Sequence, residues 1–231
     1  MCREVGIIMA AGLGSRMRPL TDKVPKPLVR VFGKPLIETV IEGLKSRGIS
    51  EIYIVVGYLK EQFHYLCEKY SGIYLRENPD YEVKNNISSI YAINDILKTA
   101  NCFICEADLF VSDLSVFHKD LSCSGYYGKM VNGYSDDWIF ELQGNYISRV
   151  KKGGTNTYNM VGISYFQKKD ADILSQKIVK AYEVEENGGM YWDEVVDQNL
   201  NELKLKVWPV ENGQIFEIDT IEELRSIEAI T

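Results

Sequence analysis

The first half of the chain alternates short apolar segments with amphipathic ones. The apolar segments have the length and the β-branched or aromatic content of buried strands, and the segments between them have the period of helices. This alternation predicts βαβ units and an α/β fold with a mostly parallel sheet. The predicted strands are Val5–Met9, Glu51–Val56, Gly72–Leu75 and Cys102–Cys105, and the predicted helices are Leu36–Ser46, Lys60–Lys69 and about Ser88 to Leu97.

The pattern changes after Val111, where short strands punctuated by glycines predict a more antiparallel region. Because no repeat, low-complexity tract or linker marks a boundary, we expect a single domain over residues 1–231. The predicted strands here are Tyr126–Val131, Asp137–Leu142, Tyr146–Lys151, Tyr158–Phe166 and Lys204–Val210, and the predicted helices are Ala171–Tyr182, Tyr191–Leu200 and Glu222–Ile230.

The overall charge and the hydropathy pattern exclude several classes of protein. The net charge is −7 and no basic stripe with interleaved aromatic residues occurs, so nucleic-acid binding is not expected. No apolar run approaches the roughly 20 residues that span a bilayer, and the N-terminus lacks the apolar core of a signal peptide. We therefore expect a cytoplasmic protein that is not bound to membranes.

A basic loop follows the first predicted strand. From Ser15 to Lys34 the chain carries six basic residues and one acidic residue, a net charge of +5, which leaves −12 for the remainder. Gly12 and Gly14 have no Cβ, so backbone N–H groups in this loop can approach an anionic ligand closely. A basic island at the end of a buried strand predicts a phosphate-binding site.

Neither of two common phosphate-loop motifs fits this loop. A dinucleotide fingerprint would need a small residue where Met17 stands, and the P-loop pattern is absent. An ordinary βα turn is therefore the alternative to a phosphate site. Pro25 and Pro27 favour the phosphate site, because they fix φ on either side of Lys26 and are expected to hold it in an extended segment.

These motifs carry a family resemblance over nearly the full chain. The sequence resembles the sugar-phosphate nucleotidyltransferase superfamily, and within it the bacterial CTP:phosphocholine cytidylyltransferases. The resemblance implies a three-layer α/β/α, Rossmann-like fold with a mixed and mostly parallel sheet, in which residues 1 to about 111 bind the nucleotide and about 112–231 bind the acceptor. The matching motifs are Ala10-Ala11-Gly12-Leu13-Gly14-Ser15-Arg16, Thr21, Pro25-Lys26-Pro27-Leu28 and Gly33-Lys34-Pro35-Leu36.

The resemblance implies an enzyme whose chemistry is carried by two cations and a metal ion. Arg16 would hold the β- and γ-phosphates of CTP, and Lys26 would contact the α-phosphate. Asp108 and Asp219 would bind Mg²⁺, although from position alone each carboxylate could instead cap a turn or a helix. The implied partners are CTP and a small phosphorylated amino-alcohol, and the oligomeric state does not follow from the sequence.

The implied nucleotide-binding residues lie in the glycine loop and after two later strands. Asn86 and Ser89 belong to an Asn-Asn-x-x-Ser-Ile-Tyr segment that differs from the family pattern only by Ile in place of Leu. Their side chains could hydrogen-bond the cytosine edge or could cap the following helix. The full set is Ala10, Ala11, Gly12, Gly14, Ser15, Tyr58, Asn86 and Ser89.

The acceptor site is expected to contain aromatic and acidic residues, because a quaternary ammonium is bound by aromatic faces and a carboxylate. The candidates are Trp138 beside Asp136 and Asp137, and the Tyr191-Trp192-Asp193-Glu194 segment. Simple packing is the alternative for their rings. Lys129 and Lys151 lie on predicted strands of the same half and could neutralise the acceptor phosphate or could be exposed lysines.

Three other functions were compared with cytidylyl transfer to phosphocholine. The same chemistry could act on 2-aminoethylphosphonate or on a sugar 1-phosphate. A nucleotide-sensing module without catalysis would be expected to lack one of Arg16, Lys26, Asp108 and Asp219, yet the chain has all four. A glycosyltransferase would be expected to carry Asp-x-Asp, which Glu106-Ala107-Asp108 only approximates.

Overall fold

A computed structural model describes residues 3–229, and their centre is a mixed seven-stranded sheet. The strands are β1 Glu4–Ala10, β2 Arg30–Val31, β3 Lys34–Pro35, β4 Glu51–Val56, β5 Ile73–Glu77, β6 Asn101–Glu106, β7 Leu109–Val111, β8 Gly125–Gln143, β9 Tyr146–Phe166, β10 Lys206–Val210 and β11 Ile215–Glu217. The α-helices are α1 Leu36–Ser46, α2 His64–Lys69, α3 Ile87–Ala92, α4 Asn94–Leu97, α5 Lys168–Tyr182, α6 Trp192–Asp197 and α7 Ile221–Glu228.

The sheet joins both halves of the chain. Its order is β10-β8-β9-β6-β1-β4-β5, and β7 with β11 and β2 with β3 form separate two-stranded sheets. The strand β9 pairs antiparallel with β6 and β8, whereas the other four neighbouring pairs in the large sheet are parallel. The prediction of a mixed and mostly parallel sheet is confirmed.

Two hydrophobic clusters cover the two faces of this sheet. Alternate side chains of a strand point to opposite faces, and in β1 Ile8 joins the cluster that contains α1 while Ile7 joins the cluster that contains α3 and α5. Helices therefore pack on both sides, as the predicted three-layer α/β/α arrangement requires. Because β1 and β6 are adjacent and parallel, the loops that follow them emerge at the same edge.

The second half differs from the prediction in the length of its strands. The four predicted short strands between Tyr126 and Phe166 are two long, irregular strands, β8 and β9, whose pairing register shifts several times. Gly133 and Gly153 have φ values of 89° and 76°, so they allow bends within the paired strands. These two glycines thus mark bends and not the predicted strand ends, whereas Gly144 does lie in the turn between β8 and β9.

Two predictions of local backbone structure were also inaccurate. Lys26 is not in an extended segment, because Lys26–Leu28 forms a single 3-10 turn after the extended Pro25. The predicted helix from Ser88 to Leu97 is divided at Ile93, whose φ of −111° separates α3 from α4. The end of the predicted Glu222–Ile230 helix lies outside the described residues.

Within residues 3–229, no helix is both long enough and apolar enough to cross a bilayer.

Gly43 should resist substitution, even though alanine is the better helix former. It lies within α1, and a Cβ there would overlap the ring of the fully buried Phe117. We expect Gly43→Ala to lower the free energy of unfolding by about 1–3 kcal/mol through overpacking, despite roughly 1 kcal/mol gained in helix propensity. Denaturant unfolding would measure this loss. Combining it with Phe117→Leu should recover part of it, and equal effects in both backgrounds would contradict the clash.

Candidate active site

A cavity of about 460 Å³ lies at the edge of the sheet where the loops after β1 and β6 emerge. A second cavity of about 370 Å³ adjoins it and shares five lining residues with it: Met9, Gly12, Arg16, Asp108 and Asp219. The second cavity follows the glycine loop. The first extends past the carboxylates toward β8, β9 and the start of α6. Together they form one continuous site that both halves of the chain line.

The ammonium of Lys26 lies beside the second cavity, against two carboxylates that line both cavities. Its Nζ is 2.6 Å from Asp108 Oδ2 and 2.5 Å from Asp219 Oδ1, and its side chain is only 10% exposed. Arg16 adds a second cation, with Nη2 at 2.6 Å from Asp219 Oδ1. Burial disfavours the charged form of Lys26, but the two carboxylates outweigh it and raise the pKa of Lys26. The four residues predicted to carry the chemistry therefore meet.

Gly14 allows the glycine loop to pass close to Lys26. Its φ is +62°, and a Cβ would lie 2.8 Å from the Cβ of Lys26, so only glycine fits without a shift. The hydroxyl of Thr21 donates to the carbonyl of Gly14 at 2.8 Å and fixes the turn. Gly12, Gly14 and Ser15 line the second cavity beside Lys26.

Three carboxylates could hold a metal ion. One oxygen from each of Asp108, Glu217 and Asp219 lies within 4.8 Å of the other two. Asp108 Oδ1 is buried and has no hydrogen-bond partner among residues 3–229, so it is free to bind a cation. The side chain of Glu217 is exposed at the cavity, where desolvation by the surrounding walls together with the charges of Asp108 and Asp219 raises the pKa of Glu217 to about 8. Oxygen ligands in this number suit a hard cation such as Mg²⁺.

Asn86 and Ser89 line the larger cavity opposite the glycine loop. The side-chain oxygen of Asn86 accepts from the backbone N–H of Trp192 at 3.0 Å, which leaves its amide nitrogen as a donor. Ser89 accepts from Asn78 at 3.2 Å. Tyr58 supports the loop instead, because its hydroxyl donates to the carbonyl of Thr21 at 3.0 Å.

Trp138 and Tyr191 form an aromatic corner in the wall of the larger cavity. Their ring centroids are 5.4 Å apart with an interplanar angle of 65°. Asp193 lies beside them, is only 3% exposed and accepts from the hydroxyl of Tyr126 at 2.9 Å. Its burial raises the pKa of Asp193 to about 7, against the opposing effect of that hydrogen bond. Trp192 is buried against Tyr126 and does not line this cavity.

Both lysines that were predicted to bind the acceptor, Lys129 and Lys151, lie outside the two cavities. Lys129 is on the part of β8 that pairs with β10 and β9. Lys151 is 2.5 Å from Glu141 and lines a separate surface cleft. The next residue, Lys152, lines this cleft and also the larger cavity. Register shifts along β8 and β9 change which side chains face the site, and the sequence does not reveal them.

Other lining residues were not predicted as site residues. Glu217 could have been expected, since it is two residues before Asp219, and alternate residues of an extended segment share a face. Glu106 stands where an Asp-x-Asp motif would have its first aspartate. Burial together with the charges of Glu217 and Asp108 raises the pKa of Glu106. No sequence signal marks Lys152, whereas Asp136 and Asp137 were expected beside Trp138 and do line the cavity. The unpredicted residues are Met9, Glu106, Lys152, Met160, Gly162 and Glu217.

A family model described as nucleotidyl transferase matches residues 5–137. The chain is a member of that family. This nucleotidyltransferase is 49% identical over 223 residues to 2-aminoethylphosphonate cytidylyltransferase of Lancefieldella rimae, covering 96% of this chain and 91% of that one. It is 38% identical over 225 residues to choline-phosphate cytidylyltransferase of Streptococcus pneumoniae, covering 97% and 96%.

A solved structure supports the same assignment. The CTP:phosphocholine cytidylyltransferase of Streptococcus pneumoniae matches with a TM-score of 0.91 and 37% identity, and the match covers 99% of both chains. The predicted family and fold of this nucleotidyltransferase are thus confirmed. The names of its relatives point to two different acceptors.

The buried carboxyl of Asp193 predicts a pH-dependent stability. The unfolded chain loses this proton near pH 4, whereas the folded protein keeps it until about pH 7. The folded state therefore loses stability relative to the unfolded state as the pH rises between these values. Asparagine cannot ionise, so the Tm of Asp193→Asn minus that of the wild type should increase from pH 5 to pH 8.

Thermal unfolding at several pH values would measure this difference. Asp136→Asn, which replaces an exposed carboxylate beside the same cavity, is the matched control for the removal of one carboxylate there. A constant difference for Asp193→Asn would contradict the raised pKa.

Proposed function

We propose that the protein transfers a cytidylyl group from CTP to a small acceptor with a phosphate or phosphonate at one end and a cationic amino group at the other. The first candidate acceptor is phosphocholine, which would give CDP-choline and pyrophosphate. The observation that carries the proposal is one continuous site with a basic glycine loop, a carboxylate cluster and an aromatic corner.

The triphosphate would lie along the glycine loop, because the loop supplies backbone N–H groups and the cations Arg16 and Lys26. Arg16 would hold the departing pyrophosphate, and its exposed guanidinium has the freedom to do so. The amide nitrogen of Asn86 would donate to an acceptor atom of cytosine. The names of both full-length relatives support a cytidine nucleotide.

The metal ion would be Mg²⁺, bound by Asp108 and Asp219 with Glu217 as a further ligand. It would supply positive charge against the crowded oxygens of the triphosphate. In the protein without ligands, Lys26 neutralises Asp108 and Asp219. Release of its ammonium from them would let Lys26 contact the α-phosphate, where negative charge develops as the acceptor oxygen attacks and pyrophosphate leaves.

The aromatic corner supports phosphocholine, because a quaternary ammonium donates no hydrogen bonds and is held by ring faces. The second candidate is 2-aminoethylphosphonate, which the name of the 49% identical relative favours. Its primary amine could donate to Asp136, Asp137 or Asp193, all of which line the cavity. A sugar 1-phosphate fits the aromatic corner less well, since hydroxyl groups prefer polar partners.

The proposal predicts pyrophosphate release that requires an acceptor. With CTP and MgCl2, we expect turnover with phosphocholine or 2-aminoethylphosphonate, and little turnover with glucose 1-phosphate or when UTP replaces CTP. A coupled pyrophosphate assay with product identification by mass spectrometry would measure this. Turnover with the sugar phosphate alone would exclude both candidate acceptors, and nucleotide binding without turnover of any acceptor would favour the nucleotide-sensing alternative.

Replacing Lys26 should distinguish its two proposed roles, which are contact with the α-phosphate during transfer and neutralisation of Asp108 and Asp219 in the free protein. We expect Lys26→Met to lower kcat by about 10²–10³, the typical effect of losing one charge-stabilising donor. It should also lower the Tm of the free protein in EDTA, because Asp108 and Asp219 lose their counter-ion. MgCl2 should then raise the Tm more in the variant than in the wild type, since no ammonium has to be displaced.

The matched control is Lys34→Met, which removes a more exposed lysine that pairs with Glu42 outside the site. Its activity and its response to MgCl2 should equal those of the wild type. A Tm of Lys26→Met that does not respond to MgCl2 would argue against a metal site at these carboxylates.

A further inference from the structure

The ammonium of Lys152 lies between the two rings of the aromatic corner. Its Nζ is 5.5 Å from the ring centroid of Trp138 and 5.4 Å from that of Tyr191. Both distances are within the range of about 6 Å over which aromatic faces attract cations. A side chain of the protein therefore occupies the position that would attract the amino cation of an acceptor.

Lys152 differs from its basic neighbours because it has no acidic partner. Arg149 pairs with Asp197 at 3.1 Å and Lys151 pairs with Glu141 at 2.5 Å, whereas no carboxylate of the described chain lies within ion-pair distance of Lys152. Among residues 3–229, the ammonium of Lys152 makes its specific contacts with these two rings alone. The charge of Lys152 is thus available for an anion that enters the cavity.

Lys152 also has room to move. It is exposed, and it lines both the larger cavity and the surface cleft on the other side of the aromatic corner. A lysine side chain is long and flexible, so its ammonium can leave the rings without movement of the strand.

We propose that Lys152 determines acceptor specificity by exchange: the amino cation of the acceptor displaces the Lys152 ammonium from the aromatic corner, and the displaced ammonium binds the phosphate or phosphonate of the same acceptor. The proposal rests on the proposed function, because it presumes that the acceptor carries both charges.

This exchange selects for ligands with two opposite charges. Two like charges cannot share the aromatic corner, so an entering cation must displace Lys152. Choline and ethanolamine have no anionic group that could bind the displaced ammonium, whereas phosphocholine and 2-aminoethylphosphonate have one. Lys152 therefore weakens the binding of free amines and strengthens that of their phosphorylated or phosphonate counterparts, which is specificity by a repulsive element as well as an attractive one.

A simpler role predicts a different result. If Lys152 only covers apolar ring surface with its aliphatic stem, its replacement by methionine, which keeps much of that stem, should affect amines and phosphorylated amines alike. Exchange predicts opposite changes for the two kinds of ligand, so the sign of the effect separates the two roles.

The test measures binding to wild type, Lys152→Met and Lys151→Met by isothermal titration calorimetry. The protein is saturated with MgCl2 and α,β-methylene-CTP, a CTP analogue that blocks turnover. For Lys152→Met we expect the Kd of phosphocholine and of 2-aminoethylphosphonate to rise about tenfold or more. We expect the Kd of choline to fall about threefold or more.

Two further variants serve as controls. Lys151→Met removes the neighbouring lysine, whose partner is Glu141, and should leave each Kd within about twofold of the wild type. Lys152→Arg keeps the cation and should retain tight binding of the phosphorylated ligand. The choline inhibition constant in the turnover assay gives a second reading of the same exchange.

The outcomes distinguish this proposal from the proposed function. If the wild type turns over phosphocholine or 2-aminoethylphosphonate but the Kd values of choline and its phosphate move in the same direction in Lys152→Met, only the exchange is overturned. An unchanged Kd for the phosphorylated ligand also overturns it. If the wild type turns over neither acceptor, the proposed function and the exchange both fail.

Discussion

The ion pairs of Lys26 with Asp108 and Asp219 hold the site together. They join three segments that lie 82 and 193 residues apart along the chain: the basic loop, the turn after β6 and the residues after β11. Without a cation between them, the clustered carboxylates would repel one another at the edge of the sheet. One partly buried ammonium therefore stabilises the fold in the same place where the proposed chemistry requires a cation.

The sequence predicted the central sheet and the acidic and basic centre of the site well. The period of the apolar residues is a local signal, and it located β1, β4, β6 and α1 within one or two residues. From parallel pairing it follows that Arg16 and Asp108, which come after neighbouring strands, lie at one edge. Their placement at the same edge follows from the predicted parallel sheet alone, whereas their proximity requires that β1 and β6 be neighbours.

The acceptor side was harder to predict because it depends on long-range register. Lys151 and Lys152 are adjacent and differ only in which way they face, and shifts in the β8–β9 pairing decide that. Asp193 lines the larger cavity, whereas Trp192, predicted beside it as an acceptor-binding residue, turns into the core. Local sequence carries no signal for such shifts, since they arise from the packing of the completed hairpin.

The hydrogen bond from the Trp192 backbone to Asn86 has a consequence for how the two substrates act on each other. It joins Trp192, the first residue of α6 and the neighbour of Tyr191 in the aromatic corner, to Asn86, a proposed nucleotide-binding residue. A nucleotide that bound Asn86 would affect the position of Trp192 and of the adjacent Tyr191. An acceptor bound at Tyr191 would affect Asn86 through the same hydrogen bond. Such heterotropic coupling is reciprocal by thermodynamic necessity, so each substrate would change the affinity for the other by the same factor.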